Sequence, residues 1–154
     1  MITLKFEQDF TRPVREIWDF ISSPANLNRV TPENLNFRTL THVPESMYPG
    51  LIIGYEVKLP FIGRTKWLTE IKYIEENVRF VDEQRIGPYK FWWHEHTLTE
   101  IGEGRTRMTD QVTLAVGYGP IGAIAEKILI EREVKKIFAF RHQTLSQIFP
   151  EPEH

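Results

Sequence analysis

The chain has 154 residues, enough for one domain with a single sizeable core. Hydrophobic residues make up 41% and charged residues 26%, too apolar for a disordered chain; nineteen basic against twenty-one acidic side chains give a net charge of -2 without a like-charged block that could track a phosphate backbone. Nucleic acid is therefore not an expected partner, and the absence of Cys excludes a disulfide frame, a thiolate nucleophile and a Cys-based zinc site.

Ile2, Leu4 and Phe6 alternate with Thr3, Lys5 and Glu7, the period of a half-buried first strand. Charge enters this segment before a secretory apolar stretch could form, and no later stretch is long and uncharged enough to span a bilayer, so the expectation is a cytoplasmic chain that does not span the membrane. Pro13 suits a first helical turn, and Val14, Ile17, Trp18 and Ile21 recur at the three- and four-residue spacing of a short amphipathic helix. Ser23 before Pro24 reads as an N-cap for a second small helix through Asn26 to Val30, which Thr31-Pro32-Glu33 ends.

From residue 35 to 116 the pattern becomes β-branched and aromatic, broken by turn chemistry at Tyr48-Pro49-Gly50, Gly63, Glu76-Asn77, Gly87-Pro88 and Gly102-Glu103-Gly104. Six more strands are predicted, at 35–42, 51–59, 65–74, 79–86, 91–100 and 106–116. Their short links leave no room for crossover helices, which excludes a parallel sheet. After Gly117-Tyr118-Gly119-Pro120 a long helix is predicted to about Phe149, with Ile121, Ile124, Ile128, Val134, Phe138, Leu145 and Phe149 near one face. The Gly117-Tyr118-Gly119-Pro120-Ile121-Gly122 stretch lacks the Lys-Ser/Thr of a phosphate loop and reads as a strand-to-helix hinge. Pro150 and Pro152 stop the helix, so residues 1–150 form one α+β domain and 151–154 a tail expected to be mobile.

Leu35-Asn36-Phe37-Arg38, Met47-Tyr48-Pro49-Gly50, Trp67-Leu68-Thr69-Glu70-Ile71, Phe80-Val81-Asp82-Glu83-Gln84, Gly87-Pro88-Tyr89, Trp93-His94-Glu95-His96, Asp110 and Ile137-Phe138-Ala139-Phe140-Arg141 together resemble a bacterial subgroup of the SRPBCC superfamily. That superfamily includes START-related lipid carriers, polyketide cyclase/dehydrase-like proteins and the birch-pollen-allergen type. The resemblance covers nearly the whole chain and implies a helix-grip fold: a seven-stranded curved antiparallel sheet around the long C-terminal helix, with two short helices after the first strand. The subgroup has no common activity, so no catalytic residue is carried over from it, and the fold by itself selects no reaction.

The cluster most able to carry chemistry is His94-Glu95-His96 on the sixth strand. Alternation puts Trp92, His94, His96 and Leu98 on one face and Phe91, Trp93, Glu95 and Thr97 on the other; both faces begin aromatic, so periodicity leaves open which lines a cavity. On the seventh strand Asp110 is a carboxylate on the apolar face of Met108, Val112, Leu114 and Val116, and on the fifth Phe80, Asp82, Gln84 and Ile86 share a face. If these faces point inward, Asp82, Gln84, His94, His96 and Asp110 form a polar patch in a cavity wall. Four roles fit such a patch: a self-satisfied hydrogen-bond network that fixes register, a group that orients a ligand, acid/base catalysis by His94, His96 and Asp110, or metal binding. Metal binding is the least expected, because His-x-His on a strand supplies no clear third ligand. Trp67, Thr69 and Ile71 share a face of the fourth strand, and Arg38 is expected to pair with Glu70 or Glu83 on the outer face.

The expected function is binding of a hydrophobic or aromatic small molecule, lipid-like or polyketide-like, in an internal cavity. Expected ligand contacts are Trp67, Thr69, Asp82, Gln84, Trp92, His94, His96, Met108, Asp110, Ile128 and Phe138, with no cofactor and no metal. A cyclase- or dehydratase-like enzyme using the wall His and Asp residues, and a ligandless protein-interaction module, are the two alternatives.

Overall fold

In a computed structural model, described here for residues 1–60, 62–117 and 123–151, the elements run β1 (Ile2–Phe10), α1 (Val14–Ile21), two short 3-10 turns (Pro24–Val30 and Glu33–Leu35), β2 (Arg38–Thr39), β3 (Ile52–Leu59), β4 (Gly63–Glu75), β5 (Arg79–Ile86), β6 (Phe91–Gly102), β7 (Arg105–Ala115) and α2 (Ala123–Ile148). The strands form one antiparallel seven-stranded sheet in the order β1-β7-β6-β5-β4-β3-β2. β2 to β7 follow one another as neighbours, as short links dictate, and β1 closes the order by pairing with β7. Gly50 takes φ +88 in the turn before β3, a conformation that a side chain would strain. Gly54, inside β3, has a different role: a Cβ there would press on Thr41 at 3.2 Å.

The predicted strand at 35–42 survives only as the two-residue β2. Leu35 closes a 3-10 turn and Asn36 is left-handed at φ 43, so the chain turns there and sends Leu35 into the core beside Leu51 and Ile53. The helix predicted after Ser23 is a 3-10 turn, and Ser23 makes no side-chain capping bond. Arg38 lies on the outer face as expected, but its partner is Glu56 at 3.4 Å, the residue directly opposite it on β3, rather than Glu70 or Glu83.

α2 lies against the inner sheet face, with Val134, Phe138 and Leu145 buried at four- and seven-residue spacing. Phe138 stacks on Phe6 of β1 at 4.2 Å, and Phe149 meets Phe10 and Phe20 edge-on. The predicted stripe is corrected at Ile128, which is 61% exposed. Six residues before Val134 is about 240° around a helix; Ile130, four residues before, is the isoleucine that packs against Val134 and Phe138. The side chains of Ile121 and Ile124, most of the 117–122 hinge and residues 152–154 of the tail lie outside the described residues. No described helix is long and apolar enough to cross a membrane.

Candidate functional site

Between the inner sheet face and α2 lies a cavity of about 200 Å³, lined in part by Phe20, Leu27 and Val30 of the segment after β1 and by Met47. Most of its wall is aliphatic or aromatic: Ile53, Tyr55, Val57, Ile71, Phe80 and Val134 among others. Trp92, His94, His96 and Leu98 are all buried, so this is the inward face of β6. Of the residues expected around a ligand, Trp67, Thr69, Asp82, Trp92, His94, His96, Met108, Asp110 and Phe138 line the cavity.

Gln84 and Ile128 do not. Ile128 is turned to solvent, as described above. Gln84 lies opposite Thr69 in the β4–β5 pairing, and the register shifts just beyond it, where Arg85 is an extra residue before Ile86. The Gln84 amide instead clamps the following turn: its Nε2 donates to the Tyr89 carbonyl at 2.7 Å and its Oε1 accepts from the Tyr89 N–H at 3.3 Å. Gly87 leaves room for this clamp, since a Cβ there would run into the Gln84 amide.

The polar residues converge because sheet register brings them together. Asp82 lies opposite His94 in the β5–β6 pairing, and His96 lies opposite Asp110 in the β6–β7 pairing. Each imidazole then spans both carboxylates. His94 reaches Asp110 Oδ1 through Nε2 at 2.8 Å and Asp82 Oδ2 through Nδ1 at 3.5 Å; His96 reaches Asp82 Oδ2 through Nε2 at 2.8 Å and Asp110 Oδ1 through Nδ1 at 2.9 Å. Thr69 Oγ1 donates to the Glu83 carbonyl at 3.2 Å and lies 3.4 Å from Asp82 Oδ1, the other oxygen of that carboxylate. His96 is also stacked on Phe80 with centroids 4.0 Å apart.

Burial by itself would push the Asp110 carboxyl up, but hydrogen bonds from both imidazoles outweigh it and hold the group well below the usual carboxylate range. Asp82 is lowered on the same balance: burial opposes ionisation, while the charge of the neighbouring imidazoles and the His96 bond favour it. The two histidines separate. Burial pushes both down; in His96 two carboxylate hydrogen bonds overcome it and raise the imidazole above its ordinary value, whereas His94 stays lowered, with the His96 charge adding to burial. Their rings are only 3.7 Å apart, so one charged ring disfavours a second.

Arg141 was not expected at the site. Its guanidinium lies over the Phe138 ring at 4.9 Å and 3.9 Å from Asp110, and its buried Nε has no hydrogen-bond partner among the described residues. A signal for it existed: Arg141 falls at the helical spacing of Val134, Phe138 and Leu145, a cation interrupting an apolar stripe. Tyr55, also unexpected, is buried in the wall, and burial raises its phenol pKa.

The sequence profile of the family described as Domain of unknown function (DUF8410) matches residues 63–149, more than half of the chain and the stretch carrying every polar residue of the cluster. No curated protein sequence matches. Solved structures that resemble the chain include Ms6760 from Mycobacterium smegmatis (21% identity, 95% of this chain and 89% of that chain covered, TM-score 0.67). CV1439 from Chromobacterium violaceum is similar at 12% identity, with 97% and 98% covered and a TM-score of 0.70. The Zhui aromatase/cyclase from a Streptomyces species is similar at 10% identity, with 96% and 95% covered and a TM-score of 0.66. At such identities the likeness is one of fold, and it agrees with the antiparallel sheet and long helix in giving a helix-grip architecture. On the profile match the chain belongs to the DUF8410 family, and its fold is a helix-grip.

Proposed function

We propose that the protein binds a compact, largely apolar small molecule in the cavity between sheet and helix. The observation that carries this reading is a wall that is apolar except for a single cluster, Asp82, His94, His96, Asp110 and Arg141, together with Thr69 beside Asp82 and the polar residues of the segment after α1. Ligand sites are built this way, with apolar area supplying affinity and a few placed polar groups fixing orientation. At about 200 Å³ the cavity falls below the roughly 300–1,000 Å³ of drug-sized sites, which favours a small ring compound over a long acyl chain. Its presence also favours this reading over a ligandless interaction module.

A second reading is a cyclase- or dehydratase-like enzyme, supported by two imidazole–carboxylate pairs on the cavity wall and by fold likeness to an aromatase/cyclase. In it Asp82 and Asp110 orient the imidazoles, and His94, His96 and Asp110 pass protons to and from a substrate that the apolar wall shapes.

The test has two parts. Native mass spectrometry of the purified protein, followed by denaturing extraction, is expected to reveal a reproducible small molecule. An apolar fluorophore is expected to bind the folded chain saturably, with affinity altered by Trp67→Ala, since Trp67 meets Trp92 at 5.0 Å in the wall. Fluorophore uptake only by unfolded or aggregated protein would refute a preformed pocket. Turnover of a candidate compound would select the second reading.

A further inference from the structure

A neutral imidazole carries one N–H and one lone pair, and here both nitrogens of each ring face a carboxylate oxygen. His94 Nε2 and His96 Nδ1 both face Asp110 Oδ1, at 2.8 Å and 2.9 Å. The remaining nitrogens, His94 Nδ1 and His96 Nε2, face one and the same oxygen, Asp82 Oδ2, at 3.5 Å and 2.8 Å. Three electron-pair donors thus converge, with their ligating atoms all within 4.8 Å of one another. A cation placed between the three donors would take the lone pairs of both imidazoles and the charge of Asp82 at once, while the other nitrogen of each ring keeps Asp110 Oδ1 as its neighbour.

We propose that Asp82, His94 and His96 bind a divalent transition-metal ion such as zinc or iron(II), with Asp110 as the outer carboxylate that orients both imidazoles. Metal–nitrogen and metal–oxygen bonds of roughly 2.0–2.2 Å set ligand atoms about 3.0–3.5 Å apart around a tetrahedral or octahedral ion. The 3.5 Å contact already has that spacing, and the 2.8 Å contact reaches it by opening a few tenths of an ångström. The surroundings match what metal-ligating histidines need: the outer nitrogens, His94 Nε2 and His96 Nδ1, lie 2.8 Å and 2.9 Å from Asp110 Oδ1, an acceptor for the N–H that a metal-bound ring keeps. Thr69 stands beside the oxygen of Asp82 that faces away from the site, leaving Oδ2 as a single-oxygen ligand. Arg141, 3.9 Å from Asp110, offsets the charge of the outer carboxylate.

Two nitrogens and one oxygen without a thiolate select zinc, iron(II) and similar ions over magnesium or calcium, which take oxygen. All three ligands come from two neighbouring strands and line the cavity, so further coordination positions face the space where a small molecule sits, the open arrangement of reactive rather than structural sites. The spacing of His94 and His96 did not supply the third ligand; the β5–β6 register does, by setting Asp82 opposite His94.

Protein stripped with a chelator and dialysed is titrated with zinc by calorimetry, and separately with cobalt(II), whose visible absorption reports nitrogen and oxygen ligation. The expected result is one saturable equivalent, lost in His94→Gln, His96→Gln and Asp82→Asn chains. Asp110→Asn keeps the stoichiometry and lowers affinity about 10- to 100-fold, the usual cost of losing an outer-shell partner. Circular dichroism checks each fold; Asp82 is the least buried of the three ligands, so Asp82→Asn decides the matter if a histidine variant fails to fold. No zinc uptake by the folded wild-type chain would overturn the proposal. So would uptake unchanged in Asp82→Asn, which places the ion on other histidines. The titration contains no organic ligand, and fluorophore binding is measured on stripped protein, so the metal site and the small-molecule pocket fail independently.

Discussion

The outer face of β4, β5 and β6 carries more charged groups than the inner face, and the two faces use them differently. On the outer face Glu70 and Glu83 sit directly opposite each other, with Lys72 3.3 Å and 3.7 Å from them and Arg85 at the same two distances. Arg79 extends the row to Glu75 and Glu95. These are long side chains at the water interface, most with more than one partner. On the inner face the groups are short, buried and fixed by register, and every contact has a single geometry. Burial turns the same kind of chemistry from a tolerant surface into a site where removing one member leaves its partner uncompensated.

The largest effect is therefore expected at Asp110, 3% exposed and shared by both imidazoles. In metal-free protein Asp110→Ala leaves His94 with only the 3.5 Å contact to Asp82 and removes one of the two carboxylates beside the buried His96. Breaking a buried pair by removing one partner costs about 3–5 kcal/mol. Urea unfolding in the presence of a chelator measures it. A loss below about 1 kcal/mol would mean that the inner face behaves like the outer one and would erase the contrast.

The fold was legible because alternation and turn chemistry are local. β1, α1, β3 to β7 and the end of α2 follow from residue patterns that need no knowledge of the rest of the chain. The stretch at 35–42 misled because its apolar residues serve the core from a 3-10 turn and a left-handed Asn36, and propensity does not distinguish that from a strand. Within the site, alternation placed Asp82, His94, His96 and Asp110 on compatible faces. It gave no pairing register, and the register is what turns four polar residues into a crossed quartet. Gln84 illustrates the opposite limit: it lies opposite Thr69, but its amide is taken up by the Tyr89 backbone of the following turn, a contact that alternation does not show. Arg141 was visible as a cation in an apolar helical stripe, but its approach to Asp110 depends on how α2 docks.

A smaller effect isolates burial from pairing. Tyr89 packs between Trp67 at 5.5 Å and Trp92 at 5.2 Å, and its phenol is pushed up to about 12, chiefly by burial, with the negative charge of Glu133 adding to it. A folded pKa above the unfolded value of roughly 10 means that the stabilisation is intact below pH 10 and is lost as pH rises through about 12. The expected outcome is an alkaline fall in melting temperature across that window, accompanied by a late phenolate absorbance phase, both diminished in Tyr89→Phe. If the phase remains in Tyr89→Phe, it belongs to another tyrosine, and burial of Tyr89 has no energetic signature.

The smallest effect is expected on the outer face, where Glu83→Gln tests whether the charge row there matters at all. Glu83 attracts Lys72 and Arg85, but it also faces Glu70 across the β4–β5 pairing, and like charges directly opposite are destabilising. Neutralising Glu83 removes both terms together. Lys72 and Arg85 keep Glu70 as a partner at 3.3 Å, so neither cation is stranded, and both are sufficiently exposed to be hydrated. The net change in unfolding free energy should stay within about 1 kcal/mol, as for other surface ion pairs, and should shrink further as added salt screens the row. The same urea experiment used for Asp110→Ala reads it. A loss that rivals Asp110→Ala and persists in high salt would show that the outer row fixes the register of β4 on β5, and hence the position of Asp82 beneath it, making the two faces one cooperative unit rather than two.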